Sequence, residues 1–274
     1  MRVALLGTGK MGAAIAARLQ GARHPPVLWN RTLERARALG IGEVRRSAAE
    51  AAHGSEVVLS ILYGPDSVRE VYASLEPERG QVFVEMSTAG GDVLEEVAPR
   101  LRDAGAELLA APILGSLPAI AAGNALVLVG GDRAAFDRAQ GVLQAFSQPR
   151  HVGSRAQAAG LKLVNNAMLA ACNLAAAELL ATAAGAGLDQ AVTFELLTRL
   201  VPYLQLRQRG FLEGIHSPAM FELSGLVKDL DLALTLGSAD GAGMPFLQAA
   251  RDIYAGAATE HGREEMTAVI ESYR

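Results

Sequence analysis

The 274-residue chain carries 25 basic and 29 acidic side chains, a formal net charge of −4, which excludes the broad positive field that holds a nucleic-acid backbone. Its single cysteine, Cys172, excludes an intramolecular disulfide, and its five histidines are too scattered to suggest a metal site by spacing. The length suits two compact units with real cores, and a reduced cytoplasmic setting is expected.

The opening residues run straight into an apolar stretch and a glycine turn, so no secretion signal is expected. Strands are expected at residues 3–6, 27–29, 57–61, 82–85, 107–110 and 125–129, and helices at 12–20, 33–39, 67–74 and 91–103. Gly7-Thr8-Gly9, Gly64-Pro65-Asp66 and Gly90-Gly91-Asp92 punctuate the joins. Short apolar runs alternating with helical patterns imply an α/β fold, a doubly wound Rossmann domain with a parallel sheet over residues 1–154. Beyond it the strand-like runs vanish, and an all-helical domain for substrate and dimerisation is expected over 155–274.

That domain begins with a helix expected at 156–184, roughly 40 Å long and able to join two domains. It is the most apolar part of the chain, yet Lys162, Asn165, Asn166 and Asn173 would be costly against lipid, so it reads as a buried helix and not as a membrane span. Cys172 reads as a small buried apolar residue, and Pro218 and Pro245 as helix breaks. The apolar side chains around Ala170-Ala171-Cys172 and over 196–206 exceed what one small domain needs to bury, which points to a homodimer or homotetramer.

Gly7-Thr8-Gly9-Lys10-Met11-Gly12 matches G-x-G-x-x-G, follows a predicted strand and opens a predicted helix. Glycines there permit a tight turn and close backbone approach, and the helix start attracts a pyrophosphate. After the second strand stands Asn30-Arg31-Thr32, where an acid would select NAD(H). Arg31 offers a fork of donors to a phosphate, with Asn30 and Thr32 adding uncharged hydrogen bonds, so NADP(H) is expected in preference to NAD(H). Lys162 is the one charged side chain between Arg155 and Glu178, and Asn166 returns to its helical face four residues on. An amine and an amide can therefore point together into a cleft, and burial there would disfavour the ammonium form.

Five segments together resemble the β-hydroxyacid dehydrogenase family, which contains 3-hydroxyisobutyrate dehydrogenases and semialdehyde reductases with a Rossmann domain of the 6-phosphogluconate dehydrogenase type. They are the glycine turn; Val84-Glu85-Met86-Ser87-Thr88; Ala111-Pro112-Ile113-Leu114-Gly115-Ser116 with Gly123-Asn124 and Gly130-Gly131; Gly160-Leu161-Lys162-Leu163-Val164-Asn165-Asn166; and Lys228-Asp229-Leu230-Asp231-Leu232-Ala233-Leu234. The likeness covers nearly the whole chain. It implies a small hydroxy acid or alcohol interconverted with its aldehyde or ketone by hydride transfer, with Lys162 handling the oxygen's proton. It also implies Leu62, Tyr63, Thr88 and Lys228 along the cofactor, and Leu114, Gly115, Ser116 and Asn166 along the substrate. Leu114 stands where the family's dehydrogenases usually carry a serine, and a leucine cannot hydrogen-bond a carboxylate. Two other readings stay open: an imine reductase, which shares the architecture, and a noncatalytic NADP-binding scaffold.

Overall fold

Val3, Ala4, Leu5 and Leu6 are all fully enclosed, which a strand achieves when both faces of its sheet are covered. The computed structural model describes residues 1–239 and 243–274, which divide into two compact units, Met1–Lys162 and Leu163–Arg274. In the first unit the strands are β1 (Val3–Leu6), β2 (Val27–Trp29), β3 (Glu43–Val44), β4 (Val57–Ser60), β5 (Val82–Glu85), β6 (Glu107–Ala110), β7 (Ile113–Leu114), β8 (Ala125–Gly130) and β9 (Ser147–Gly153). Between them run α1 (Lys10–Gly21), α2 (Leu33–Arg37), α3 (Ala48–Ala52), α4 (Pro65–Ser74), α5 (Gly91–Asp103), α6 (Leu117–Ala121) and α7 (Arg133–Leu143).

The strands form one sheet in the order β3-β2-β1-β4-β5-β6-β8-β7, with β9 paired to β8. From β3 to β6 every pairing is parallel, as the buried runs imply. The expectation of a parallel sheet throughout needs one correction: β8 runs antiparallel to β6 and β7, and parallel only to β9. Alternate side chains serve opposite faces. Val3, Leu5, Leu59 and Val84 pack with Ile15 and Leu19 of α1, while Ala4, Leu6, Val58 and Phe83 pack with Tyr72 of α4 and Leu94 and Leu101 of α5. Enclosing a side chain the size of Phe83 stabilises by roughly 1.5–3 kcal/mol.

The second unit takes most of α8 (Arg155–Gly185), then α9 (Gln190–Leu200), α10 (Gln208–Glu213), α11 (Leu223–Ala239) and α12 (Pro245–His261), with 3-10 turns at Pro202–Arg207 and Met266–Tyr273. The boundary expected at 154 marks where α8 starts. The compact units divide later, because Ala158 and Ala159 pack into the sheet's core and Arg155 forks onto the Glu95 carboxylate of α5 at 3.0 and 2.7 Å. By length and composition α8 could cross a membrane. Its buried Asn173 instead donates to Leu169 O and to the Tyr203 hydroxyl, both at 2.8 Å, as a core helix does. Cys172 is half-buried, and Pro245 starts α12 at a position where a missing N–H costs nothing.

Candidate cofactor and active site

The turn after β1 is built by steric exclusion. Gly7 has φ +102°, and a Cβ on it would lie 2.2 Å from Ile61 O. A Cβ on Gly12 would lie 2.0 Å from Gly7 O, so only glycine lets α1 start this close to the strand. Gly9 caps α1 with no side-chain hydrogen bond, and the first turn holds no acid. The helix therefore presents its positive end with no acid in its own first turn to neutralise it. Thr8 is buried, and its Oγ1 has no hydrogen-bond partner among the described residues. An orphaned hydroxyl beside an uncapped helix start fits a phosphate-bearing dinucleotide.

The turn is latched to the end of β2. Gly7 N–H donates to Trp29 O at 2.8 Å, Thr8 N–H to Asn30 Oδ1 at 3.0 Å, and Asn30 Nδ2 to Thr32 O at 2.9 Å. The structure thus gives Asn30 a different task from the phosphate contact expected of it: its amide is a strut between turn and loop. Arg31 and Thr32 are exposed beside it, and Lys10 and Met11 lie at the start of α1. An arginine held on a fixed loop next to the turn suits a ribose phosphate.

A second cluster lies where β4 and β5 end. Glu85 is 1% exposed; its Oε2 accepts from Ser60 Oγ at 2.5 Å and its Oε1 from Ser87 N–H at 2.7 Å. Ser60 Oγ also lies 2.8 Å from the Tyr72 hydroxyl, and Ser87 Oγ accepts from Leu62 N–H at 2.6 Å. Burial pushes the Glu85 carboxyl above its ordinary range, against the hydrogen bonds from Ser60 and Ser87 that favour its charged form. Burial, then the Glu85 charge, pushes the Tyr72 phenol well up. This network fixes Leu62 and the Ser87-Thr88 corner, while Tyr63 is exposed.

Glu85, Ser87, Thr88, Pro112, Ala159 and Lys162 line one small pocket. Lys162 is half-buried, and its Nζ donates to Ile113 O at 2.8 Å. The amine is thereby held against the segment leading to Leu114, Gly115 and Ser116. Leu114 is half-buried on β7 opposite Leu126, Gly115 is exposed but a Cβ on it would crowd the Ala125 and Ala119 methyls at 3.1 and 3.3 Å, and Ser116 precedes α6 without capping it by its side chain. Lys162, Thr88 and the Leu114–Ser116 stretch thus all belong to the first unit.

In the second unit Asn166 and Lys228 meet at a residue the sequence reading did not single out. Asp229, 3% exposed, accepts Asn166 Nδ2 on Oδ2 at 2.5 Å and the Lys228 amine on Oδ1. Asn165 Nδ2 donates to Asn166 Oδ1 at 3.1 Å. The Asn166 amide expected to face substrate is thus oriented by a carboxylate, as is Lys228. Glu85 was missed in the same way, although an acid closing an otherwise apolar strand is a visible signal.

A sheet parallel from β3 to β6 whose first helix starts uncapped at a glycine turn, with polar groups ranged along its carboxyl edge, defines a dinucleotide-binding protein of the Rossmann class. Residues 2–160 match the model of the NAD binding domain of 6-phosphogluconate dehydrogenase, and residues 156–273 that of the NAD-binding domain of NADP-dependent 3-hydroxyisobutyrate dehydrogenase. A probable 3-hydroxyisobutyrate dehydrogenase of Mycobacterium bovis is 30% identical, with 99% of this chain and 97% of that one covered. The solved Mycobacterium tuberculosis 3-hydroxyisobutyrate dehydrogenase with L-serine is 29% identical across 100% of both chains, with a TM-score of 0.80. The mouse cytokine-like nuclear factor N-PAC is 27% identical over 99% of this chain, which spans only 51% of that relative. The chain belongs to the β-hydroxyacid dehydrogenase family.

Proposed function

We propose that the protein is an NADP(H)-dependent oxidoreductase that interconverts a small hydroxy acid or alcohol and the matching aldehyde or ketone. The observation that carries this reading is Lys162, a half-buried amine lining one pocket with Thr88 and Pro112 and aimed by Ile113 O. When bound, the nicotinamide supplies or accepts the hydride. The glycine turn would hold the pyrophosphate, Arg31 and Thr32 the ribose phosphate, and Leu62 and Thr88 the ring end. Lys162 would give a proton to the substrate oxygen during reduction and take it back during oxidation. Leu114, the apolar residue that follows Ile113, favours a substrate less acidic or bulkier than hydroxyisobutyrate.

The test is Lys162→Ala, expected to keep NADPH affinity within about threefold and to cut kcat by about a hundredfold or more. A panel of aldehydes, ketones and cyclic imines, each run with NADPH and NADH, assigns the substrate. Turnover of imines alone would move the reading to imine reduction, and tight binding with no turnover would move it to a noncatalytic NADP binder.

The same proposal includes a homo-oligomer. Leu188, Val192, Leu196 and Leu200 recur every four residues along α9 and its approach, and all are exposed. An apolar stripe of that period is the face a second copy would cover. Light scattering showing a strict monomer would contradict it.

A further inference from the structure

The ends of β4 and β5 are joined by a carboxylate that the proton transfer does not use. Glu85 closes a strand whose other residues, Val82, Phe83 and Val84, are wholly apolar, and it is as enclosed as they are. Burying a carboxylate is costly unless donors surround it. Here the Ser60 hydroxyl and the Ser87 N–H donate to its two oxygens, and Ser87 in turn receives the N–H of Leu62. One charge therefore sets two loops, the one beginning at Ile61 and the one carrying Ser87 and Thr88. Both are the loops expected along the cofactor, and Glu85 shares a pocket with Lys162.

We propose that Glu85 is a positioning residue for the nicotinamide end of the cofactor, holding the loops after β4 and β5 as one surface and favouring the oxidised, cationic ring over the reduced, neutral one. The inference rests on the oxidoreductase reading above. Oxidised and reduced cofactor differ by one positive charge on the ring and are otherwise nearly alike in shape. A buried negative charge at the loops that would hold that ring, poorly screened by solvent, would separate the two forms. A residue that only shaped the loops would treat them alike.

The experiment measures NADP+ and NADPH affinities separately, by calorimetry on the full chain without substrate. Glu85→Gln is expected to weaken NADP+ on the order of tenfold, while NADPH changes by less than about threefold. Glu85→Asp, which keeps the charge on a shorter stem, is expected to weaken both forms in step. If the Gln variant does not fold, Ser60→Ala decides by the same ratio. Loss of that donor disfavours the charged carboxyl, so the ratio is expected to shift in the same direction by a smaller factor. An unchanged ratio in Glu85→Gln or its Ser60→Ala substitute, whether both affinities fall together or neither moves, overturns the proposal. Binding of neither form by the unmodified chain overturns the oxidoreductase reading and this inference with it. Binding of both with an unmoved ratio overturns this inference alone.

Discussion

In the sheet unit the buried Thr8, Ser60, Glu85 and Ser87 stand at or just beyond the carboxyl ends of β1, β4 and β5, whereas in the helical unit Asn173, Arg207, His216, Glu265 and Thr267 lie among helices and make their hydrogen bonds to groups of that same unit. Arg207 Nη1 donates to Glu265 Oε1 at 2.6 Å, and His216 sits between Thr267 Oγ1 at 3.1 Å and Glu271 Oε1 at 2.9 Å. Glu265 Oε2 in turn receives the N–H groups of Met220 and Phe221. Even within the sheet unit, Gln81 at the opposite strand ends gives its amide to the carbonyls of Ala52 and Ser55. Enclosure of a polar side chain is therefore a poor guide to function on its own. Place along the sheet, an unspent atom such as Thr8 Oγ1, and a shared pocket with Lys162 are what separate a site from a brace.

If that contrast is right, damage to the helical brace should cost stability without changing the cofactor site. Arg207→Met leaves Glu265 buried without its cation, and a loss of about 3–5 kcal/mol is expected in chemical denaturation. NADPH affinity, measured at a temperature where the variant is folded, should stay within about twofold; a parallel fall would erase the distinction. Gly12→Ala should do the reverse. Its methyl meets Gly7 O, costing about 1–3 kcal/mol, and NADPH binding is expected to disappear from a titration that detects the parent readily. Arg31→Asp should leave stability within about 0.5 kcal/mol while shifting preference from NADPH toward NADH by on the order of tenfold or more.

The smallest effect is a slope. Burial raises the Glu85 carboxyl above its ordinary value of 4.5, so the native state holds that proton more tightly than the unfolded chain does. Stability should fall as pH rises from about 4.5 toward the raised value, and Glu85→Gln should flatten that decline. Tyr72, pushed well up, titrates far above this window. Melting curves of the two proteins across that range would differ by a constant if Glu85 were unperturbed.

What the sequence made legible follows the same division. β1, β4 and β5 were readable because each opens with three or more consecutive apolar residues and is set off by turn signals, and the glycine turn because steric exclusion leaves no alternative residue. β3 and β9 escaped notice. One is two residues long, and the other is polar, carries Pro149 and pairs only with β8, so tertiary pairing makes it a strand. α7 also went unread, although Asp132 caps it through Ala135 N–H. In the site, Lys162 announced itself as a lone charge on an apolar helix. Asp229 did not, because Asp231 stands two residues away and only the fold puts one carboxylate inside, on Asn166, and the other on Arg251.

The whole account depends on the amine that Ile113 O holds in the pocket beside Thr88. Single-turnover hydride transfer in Lys162→Ala, followed with and without added alkylamine on a preparation whose NADPH affinity has been confirmed, tests it most directly. A transfer rate reduced at least about a hundredfold and partly restored by the amine is the predicted result. A near-normal rate at unchanged cofactor affinity would contradict it.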